Sequence, residues 1–445
     1  MGQEYEPIGD EDDEHTHRPP TAPLNPSPER PFSLLEYSVF LLLGIAMLWA
    51  WNMFLAAAPY FQNRFRDNRS ILTHFQSSIT SVSCITNLTS VLFLSKMQSN
   101  ASYPKRIILS LIINIVVFVL LTISTSYFRQ ISSSVYFAFT LLMVFATAVA
   151  TGLCQNGTFA FAASFGRPEY IQAIMTGQGV AGVLPSISQI LSVLAVPELD
   201  HWDDTASAPA GISDKDANSA FIYFLTATGI SAVTLVAVLP LVLRRMRMQI
   251  VASDASTEED MGPAKRKVVS MITLYKKLNW LPPTIFISFL VTMFFPVFTQ
   301  KVLSVVPADK APRILQPAIF IPIGFLAWNI GDLLGRLLTG LFIRFQPRPV
   351  VLFLFAVLRV GFIPLYLLCN VEGKGAVVNS DIFYIFIVQI GFGITNGLVG
   401  SSTMMSAQHY VDDTEREATG GFMALNLVAG LTAGSLLSFT VSGIS

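Results

Sequence analysis

Charge is what this chain has least of. Lys, Arg, Asp and Glu make up 13% of its 445 residues, against 52% hydrophobic residues. A water-soluble protein of this length would lack the polar side chains to cover its surface, which excludes a soluble enzyme or binding domain. The formal net charge is −1 and the basic residues are scattered, so no positive stripe exists and nucleic acid is excluded as a partner. Cysteine is nearly missing too. Cys84, Cys154 and Cys369 lie in apolar stretches, are odd in number and show no CxxC spacing, so they support neither a disulfide framework nor a zinc site. No HExxH, paired catalytic Asp or Ser/His arrangement occurs in the apolar stretches to support an intramembrane enzyme, and no cofactor is implied. The acidic start of the chain has no apolar core before a small-residue cleavage site, so it is not a signal peptide. Residues 1–35, with EDDE, one Pro-Pro pair and one Pro-x-Pro, read instead as a disordered cytoplasmic tail.

What the chain has in abundance is apolar runs of about 20 residues, the length that crosses a bilayer. They fall near Glu36 to Ala58, Ile71 to Leu94, Ile107 to Tyr127, Val135 to Phe165, Ile171 to Val196 and Ala220 to Leu243, then Leu281 to Leu303, Ala318 to Ile343, Val350 to Leu368, Ile382 to Met405 and Ala418 to Ser442. The expected fold is therefore an all-α polytopic membrane protein with eleven transmembrane helices. The fourth, fifth and tenth runs are rich in Gly, Ser and Thr, as suits helices that pack closely or line an aqueous path.

A polar stretch containing SDASTEED and AKRK splits the runs six and five. The implied organisation is a six-helix half (36–243), a cytoplasmic linker (244–280) and a five-helix half (281–445), with a major-facilitator-like site between the halves at the midplane. Placing the tail in the cytoplasm puts most Lys and Arg inside, although Arg64, Arg66 and Arg69 after the first run pull locally the other way. An odd span count then leaves the C-terminus outside or lumenal. Of the sequons at Asn68, Asn87, Asn100 and Asn156, only Asn68 falls in an outward loop, where two nearby helix ends disfavour modification.

Asp332 and Arg336 mark the site. Each charge costs about 2.5–3.5 kcal/mol near a bilayer centre on insertion scales, so the pair must face a partner or a cavity, and a wet vestibule is the expectation. Phe325, Asn329, Asp332 and Arg336 follow a spacing of four, three and four, which aligns them on one helix face. The stripe offers an aromatic ring, an amide, a carboxylate and a guanidinium, a set suited to a hydroxyl-rich ligand. An intrahelical ion pair that merely locks two helices is the competing reading. In the first run, Trp51 and Asn52 lie deeper than the interface Trp usually occupies, which turns them toward a cavity, while Trp49 points away and packs in the bundle. Gln155 and Asn156 sit in mid-membrane, as helix glue or as ligand contacts. Gly177, Gly179 and Gly182 suit close helix contact.

WNMFLAAAPYF in the first run, MTGQGVAG in the fifth, FFP at Phe294 to Pro296, WNIGDLLGR in the eighth and ITNG at Ile394 to Gly397 occur in order. Together they resemble the equilibrative nucleoside transporter family over nearly all of Phe32 to Ser445. The resemblance implies that Asp332 and Arg336 engage ribose hydroxyls and that Gln155 contacts the base, with Asn156 able to share that part. Leu48, Trp51, Asn52, Leu55, Phe295, Phe325, Asn329 and Leu431 would form the walls. Gly179, like a family glycine needed for packing, and Pro296 would be structural.

The implied activity is facilitated movement of purine and pyrimidine nucleosides by a monomer in a lipid bilayer. A carrier of another small polar solute, such as a nucleobase, sugar or organic cation, is the alternative. Asp332 is the one spanning carboxylate placed to carry a proton, but its Arg336 partner argues for uncoupled transport, with a proton-assisted variant reserved for an acidic organelle. Vacuolar or lysosomal and plasma membranes both remain open.

Overall fold

The structure is a computed structural model and describes residues 31–98, 101–128, 130–194, 214–256, 268–307, 310–342 and 348–442. The acidic tail before residue 31, the sequon at Asn100 and most of the SDASTEED–AKRK stretch lie outside the described residues.

Local signals set the helix starts. Ser33 accepts from the Glu36 N–H at 3.4 Å to open α1 (Leu34–Ala56), and Asn68 accepts from Ile71 N at 3.2 Å to open α3 (Arg69–Lys96) after the short α2 (Ala58–Arg64). There follow α4 (Tyr103–Tyr127), α5 (Ser133–Ala163), α6 (Pro168–Leu194), α7 (Asp214–Ser256), α8 (Met271–Leu278), α9 (Leu281–Thr292) and α10 (Phe294–Thr299). The chain closes with α11 (Pro317–Phe342), α12 (Pro349–Leu358), α13 (Phe362–Leu367), α14 (Gly391–Ser406) and α15 (Arg416–Ser442). Among the described residues the β pairing is a single bridge, Val302 to Val371.

The surface is inside out for water. On α4 the exposed residues Leu109, Ile112, Val116, Val119, Leu120 and Ile123 recur at helical spacing and are all apolar, while Ser110, Asn114, Thr122 and Thr125 are buried. A helix solvated by water shows the reverse, so this face meets hydrocarbon. The buried hydroxyls are satisfied within their own helix, as with Thr122 to the Phe118 carbonyl at 2.6 Å, which is what a medium without water demands.

Ten segments among the described residues are long and apolar enough to span a membrane. They cover ten of the eleven expected runs. The fifth run falls on α6, whose apolar character is diluted by Gln172, Thr176, Gln178 and Ser186. The sixth extends beyond its expected end, because the linker residues after Leu243 continue the helix to Ser256. Prolines interrupt two others. Pro296 has no N–H for the Thr292 carbonyl, and the helix breaks at Met293 between α9 and α10. Pro364 likewise leaves the Val360 carbonyl without a donor, and a 3-10 turn at Arg359–Gly361 joins α12 to α13. A π-helical stretch, Phe383–Ile390, runs straight into α14.

The apolar core differs between the two ends of the bundle. At the end carrying Ser33, the tail end, one continuous cluster draws Phe40, Phe161 and Tyr170 from α1–α6 together with Leu278, Phe289 and Phe422 from α8–α15. At the far end the core is two clusters with no shared residue. Phe54, Phe61, Phe118 and Phe224 belong to one, and Phe295, Phe298, Tyr366 and Tyr384 to the other. Helix contacts between the two groups run through α6 on α11 and α14, and through α15 on α3 and α5.

Candidate functional site

Glycine brings α6 and α11 together. A Cβ on Gly179 would stand 3.1 Å from Arg336 Cδ, and one on Gly182 would stand 2.5 Å from Asn329 Oδ1. That closeness lets α11 reach the backbone of α6. Arg336 Nη1 donates to the Met175 carbonyl at 2.6 Å and to Gln178 Oε1 at 3.2 Å, while its Nε donates to Asp332 Oδ2 at 2.7 Å. Asn329 Nδ2 donates to Ser186 Oγ at 3.2 Å, and Gln172 Nε2 to the Arg336 carbonyl at 3.2 Å. The stripe read from the spacing does face a second helix, and that helix is α6.

A third helix completes the carboxylate's shell. Gly393 and Gly397 lie so close to the α11 backbone at Trp328 and Asp332 that no side chain fits there, and Asn396 is thereby held against Asp332. Asn396 Nδ2 donates to Asp332 Oδ1 at 2.7 Å. Its Oδ1 accepts from Thr292 Oγ1 at 2.6 Å and from Arg359 Nη2 at 2.8 Å.

The expectation of a wet vestibule at the charged pair is corrected here. Asp332 and Arg336 are 3% and 4% exposed. Every polar contact that water was expected to make is made by Met175, Gln178 and Asn396. The cause is the small-residue surfaces of α6 and α14, which leave no gap for solvent on either side of α11.

The other candidates lie in four places. Phe295 stacks on Trp328 at 4.1 Å between ring centroids and meets Phe325 edge-on at 5.2 Å, forming an aromatic group one turn from Asp332. Pro296 lies beside it in α10, half-buried. Asn52 Nδ2 donates to the Ala181 carbonyl at 2.7 Å, which ties α1 to the same stretch of α6. Leu48 and Trp51 are half-buried on α1, and Leu55 is exposed. Trp49 faces α7, donating to Thr226 Oγ1 at 3.3 Å.

Gln155 and Asn156 stand apart on α5. Gln155 is buried and accepts from Asn87 Nδ2 of α3 at 3.2 Å. Both ends of the Asn156 amide are committed, to the Arg106 guanidinium and to Ser95 Oγ, so it acts as a tie between helices. Leu431 of α15 is half-buried against the tail-end cluster. No group of His, Cys, Asp and Glu able to hold a metal occurs among the described residues.

Sequence reasoning gave no role in the site to Gln178, Asn396, Arg359 or Asn87. Arg359 carried a usable signal, a guanidinium inside an apolar run. Its partners lie on other helices, so no spacing rule along its own segment could supply them.

A helical bundle with lipid-type outer faces and a buried polar network on the seam between two groups of helices is a membrane solute transporter. Its fold is like that of the E. coli fucose:proton symporter FucP, with a TM-score of 0.52 at 14% identity over 92% of this chain and 96% of that one. The human organic anion transporter MFSD10 gives 0.51 at 14% identity over 92% and 93%. In sequence, residues 141–442 match the nucleoside transporter family. The nucleoside transporter FUN26 of Saccharomyces cerevisiae is 31% identical over 94% of this chain and 86% of its own length, and human equilibrative nucleoside transporter 1 is 25% identical over 91% and 96%. The chain belongs to the nucleoside transporter family.

Proposed function

We propose that this protein carries nucleosides across a membrane, down their gradient, by alternating access. The observation that carries the reading is the Asp332–Arg336 pair with Asn329 on α11, set against α6 on the seam between the two groups of helices. In a carrier of this kind the two groups rock about a central site, so a site on the seam is shut in one state and uncovered when α6 and α11 part. The continuous core at the tail end and the divided core at the far end favour opening at the far end.

On this reading α6 is an eleventh span. The helices fall into a 6+5 arrangement, 36–243 and 281–445 joined by 244–280, with the tail cytoplasmic and the C-terminus outside or lumenal. Ribose hydroxyls bond to Asp332 and Arg336, Gln155 reads the base, and Leu48, Trp51, Asn52, Leu55, Phe295, Phe325, Asn329 and Leu431 bound the cavity. Transport is uncoupled from protons on this reading, the charge of Asp332 being balanced within the chain by Arg336. A monomer suffices, because the seam lies within one chain. Fluorescence of a tagged chain distinguishes a vacuolar or lysosomal membrane from the plasma membrane.

The test is flux of radiolabelled uridine and adenosine into proteoliposomes holding the purified chain, with and without an imposed proton gradient. Saturable uptake that the gradient leaves unchanged is expected. Uptake no faster than into empty liposomes overturns the reading.

A further inference from the structure

Arg359 is a buried charge without a job in this mechanism. It sits where Pro364 forces the 3-10 turn between α12 and α13, and it is 2% exposed. Its Nη1 donates to the Ser288 carbonyl at 2.8 Å, its Nη2 to Thr292 Oγ1 at 3.2 Å and Asn396 Oδ1 at 2.8 Å, and its Nε to Thr395 Oγ1 at 3.4 Å. The Phe392 ring lies 5.0 Å away. No carboxylate pairs with it directly among the described residues. The anion it reaches is Asp332, through one intervening amide.

That amide has a single workable orientation. With its oxygen toward Arg359 and Thr292 and its NH2 toward Asp332, Asn396 makes three favourable contacts. Turned over, its NH2 would face the Arg359 N–H and its oxygen would face the carboxylate, two repulsions in a buried site. Arg359 therefore fixes which end of Asn396 meets Asp332, and Asn396 fixes the carboxylate plane from the side opposite Arg336.

We infer that Arg359 is a positioning residue for sugar recognition, acting through Asn396 to aim the Asp332 carboxylate at the substrate hydroxyls. The inference rests on the nucleoside reading of Asp332. A purely structural Arg359 would tie α12 to α9 and α14, and its loss would weaken handling of all substrates alike. A positioning Arg359 makes a narrower demand: its loss must cost more for a substrate with ribose hydroxyls than for one without them.

The experiment measures the equilibrium dissociation constants of uridine and of 2′,3′-dideoxyuridine for the purified protein, for wild type, Arg359→Gln, Asn396→Ala and Asp332→Asn, each confirmed monodisperse by size exclusion. Arg359→Gln and Asn396→Ala are each expected to weaken uridine by about tenfold and dideoxyuridine by less than about threefold. Arg359→Lys replaces the glutamine variant should that one not accumulate. A single ammonium cannot fork between Ser288 and Asn396, so it carries the same expectation.

Equal weakening of both ligands, or wild-type values, in Arg359→Gln and Asn396→Ala overturns the inference while Asp332→Asn still loses its preference for uridine. Wild-type behaviour of Asp332→Asn overturns the site reading itself, and the positioning inference with it.

Discussion

Gly179 of α6 packs against Arg336 of α11 so closely that a methyl group on the glycine would stand 3.1 Å from both Arg336 Cδ and Leu333 Cδ1. The guanidinium reaches the Met175 carbonyl because nothing stands between the helices at this level. One glycine thus sets both the helix spacing and the geometry of the charged pair.

A branched residue there is expected to spoil both. Gly179→Val adds volume that Arg336 and the Leu333 backbone cannot both avoid, at a cost of about 1–3 kcal/mol of overpacking. The melting temperature of the detergent-purified protein should fall and uridine uptake with it. Gly179→Ala, which gains up to about 1 kcal/mol of helix propensity against a smaller clash, should lie much closer to wild type. Equal melting temperatures for the valine and wild-type proteins would show that the seam is looser than this contact requires.

The charged pair itself is a second test. Arg336→Ala leaves Asp332 with Asn396 as its remaining donor and withdraws the hydrogen bonds to Met175 and Gln178, so a buried carboxylate loses its counter-charge. Breaking such a pair from one side costs about 3–5 kcal/mol. Uridine and adenosine uptake should drop to background in Arg336→Ala and in Asp332→Asn while a tagged chain still reaches the membrane. Asp332→Asn keeps the shape and loses the charge, so it should be the better folded of the two. Wild-type uptake rates in either localised variant would remove both residues from the site.

How much of this was legible in the sequence follows from where each interaction is encoded. The Phe325–Arg336 stripe was readable because its members lie on one helix at fixed spacing, and a charge in an apolar run announces itself. Close packing at Gly177, Gly179 and Gly182 was readable for the same reason. The partners were not, since Asn396, Gln178 and Met175 reach Asp332 and Arg336 from helices whose neighbours only the fold determines. Burial of the pair went the other way from expectation because two glycine-lined surfaces, on α6 and α14, shut out solvent together. The spans were found by length and hydropathy, but their breaks at Met293 and Arg359 depend on what Pro296 and Pro364 cannot donate.

Gln155 and Asn87 give a third prediction. Gln155 accepts from Asn87 Nδ2 at 3.2 Å, and the Asn87 oxygen is buried without a hydrogen-bond partner. Leaving a buried polar group unpaired costs about 1–3 kcal/mol. Asn87→Ala removes that unpaired oxygen but also frees the Gln155 amide to turn. Stability should change little, whereas the ratio of uridine to adenosine uptake should shift several-fold, in the same sense as in Gln155→Ala. An unchanged ratio in both variants would place base recognition elsewhere.

The fourth prediction concerns acid at the far end. Glu372 lies in the turn after α13, its backbone N–H bonded to the Lys301 carbonyl at 2.6 Å beside the Val302–Val371 bridge. Its carboxylate meets Lys374 at 2.6 Å and Lys301 at 3.1 Å, and hydrogen bonds from Lys374 first, then Lys301, hold its carboxyl below the usual carboxylate range. A group whose value is depressed by folding contributes stability that is present above its unfolded value, about 4.3, and is lost as pH falls through the folded one. The loop should therefore be equally protected at pH 7 and pH 5 and should loosen only below about pH 4.3. Hydrogen exchange of peptides covering residues 369–380, corrected for the intrinsic pH dependence of exchange, measures this directly. Glu372→Gln should abolish the change at low pH. Protection lost already between pH 7 and pH 5 in the unaltered protein would show that some other group governs the loop.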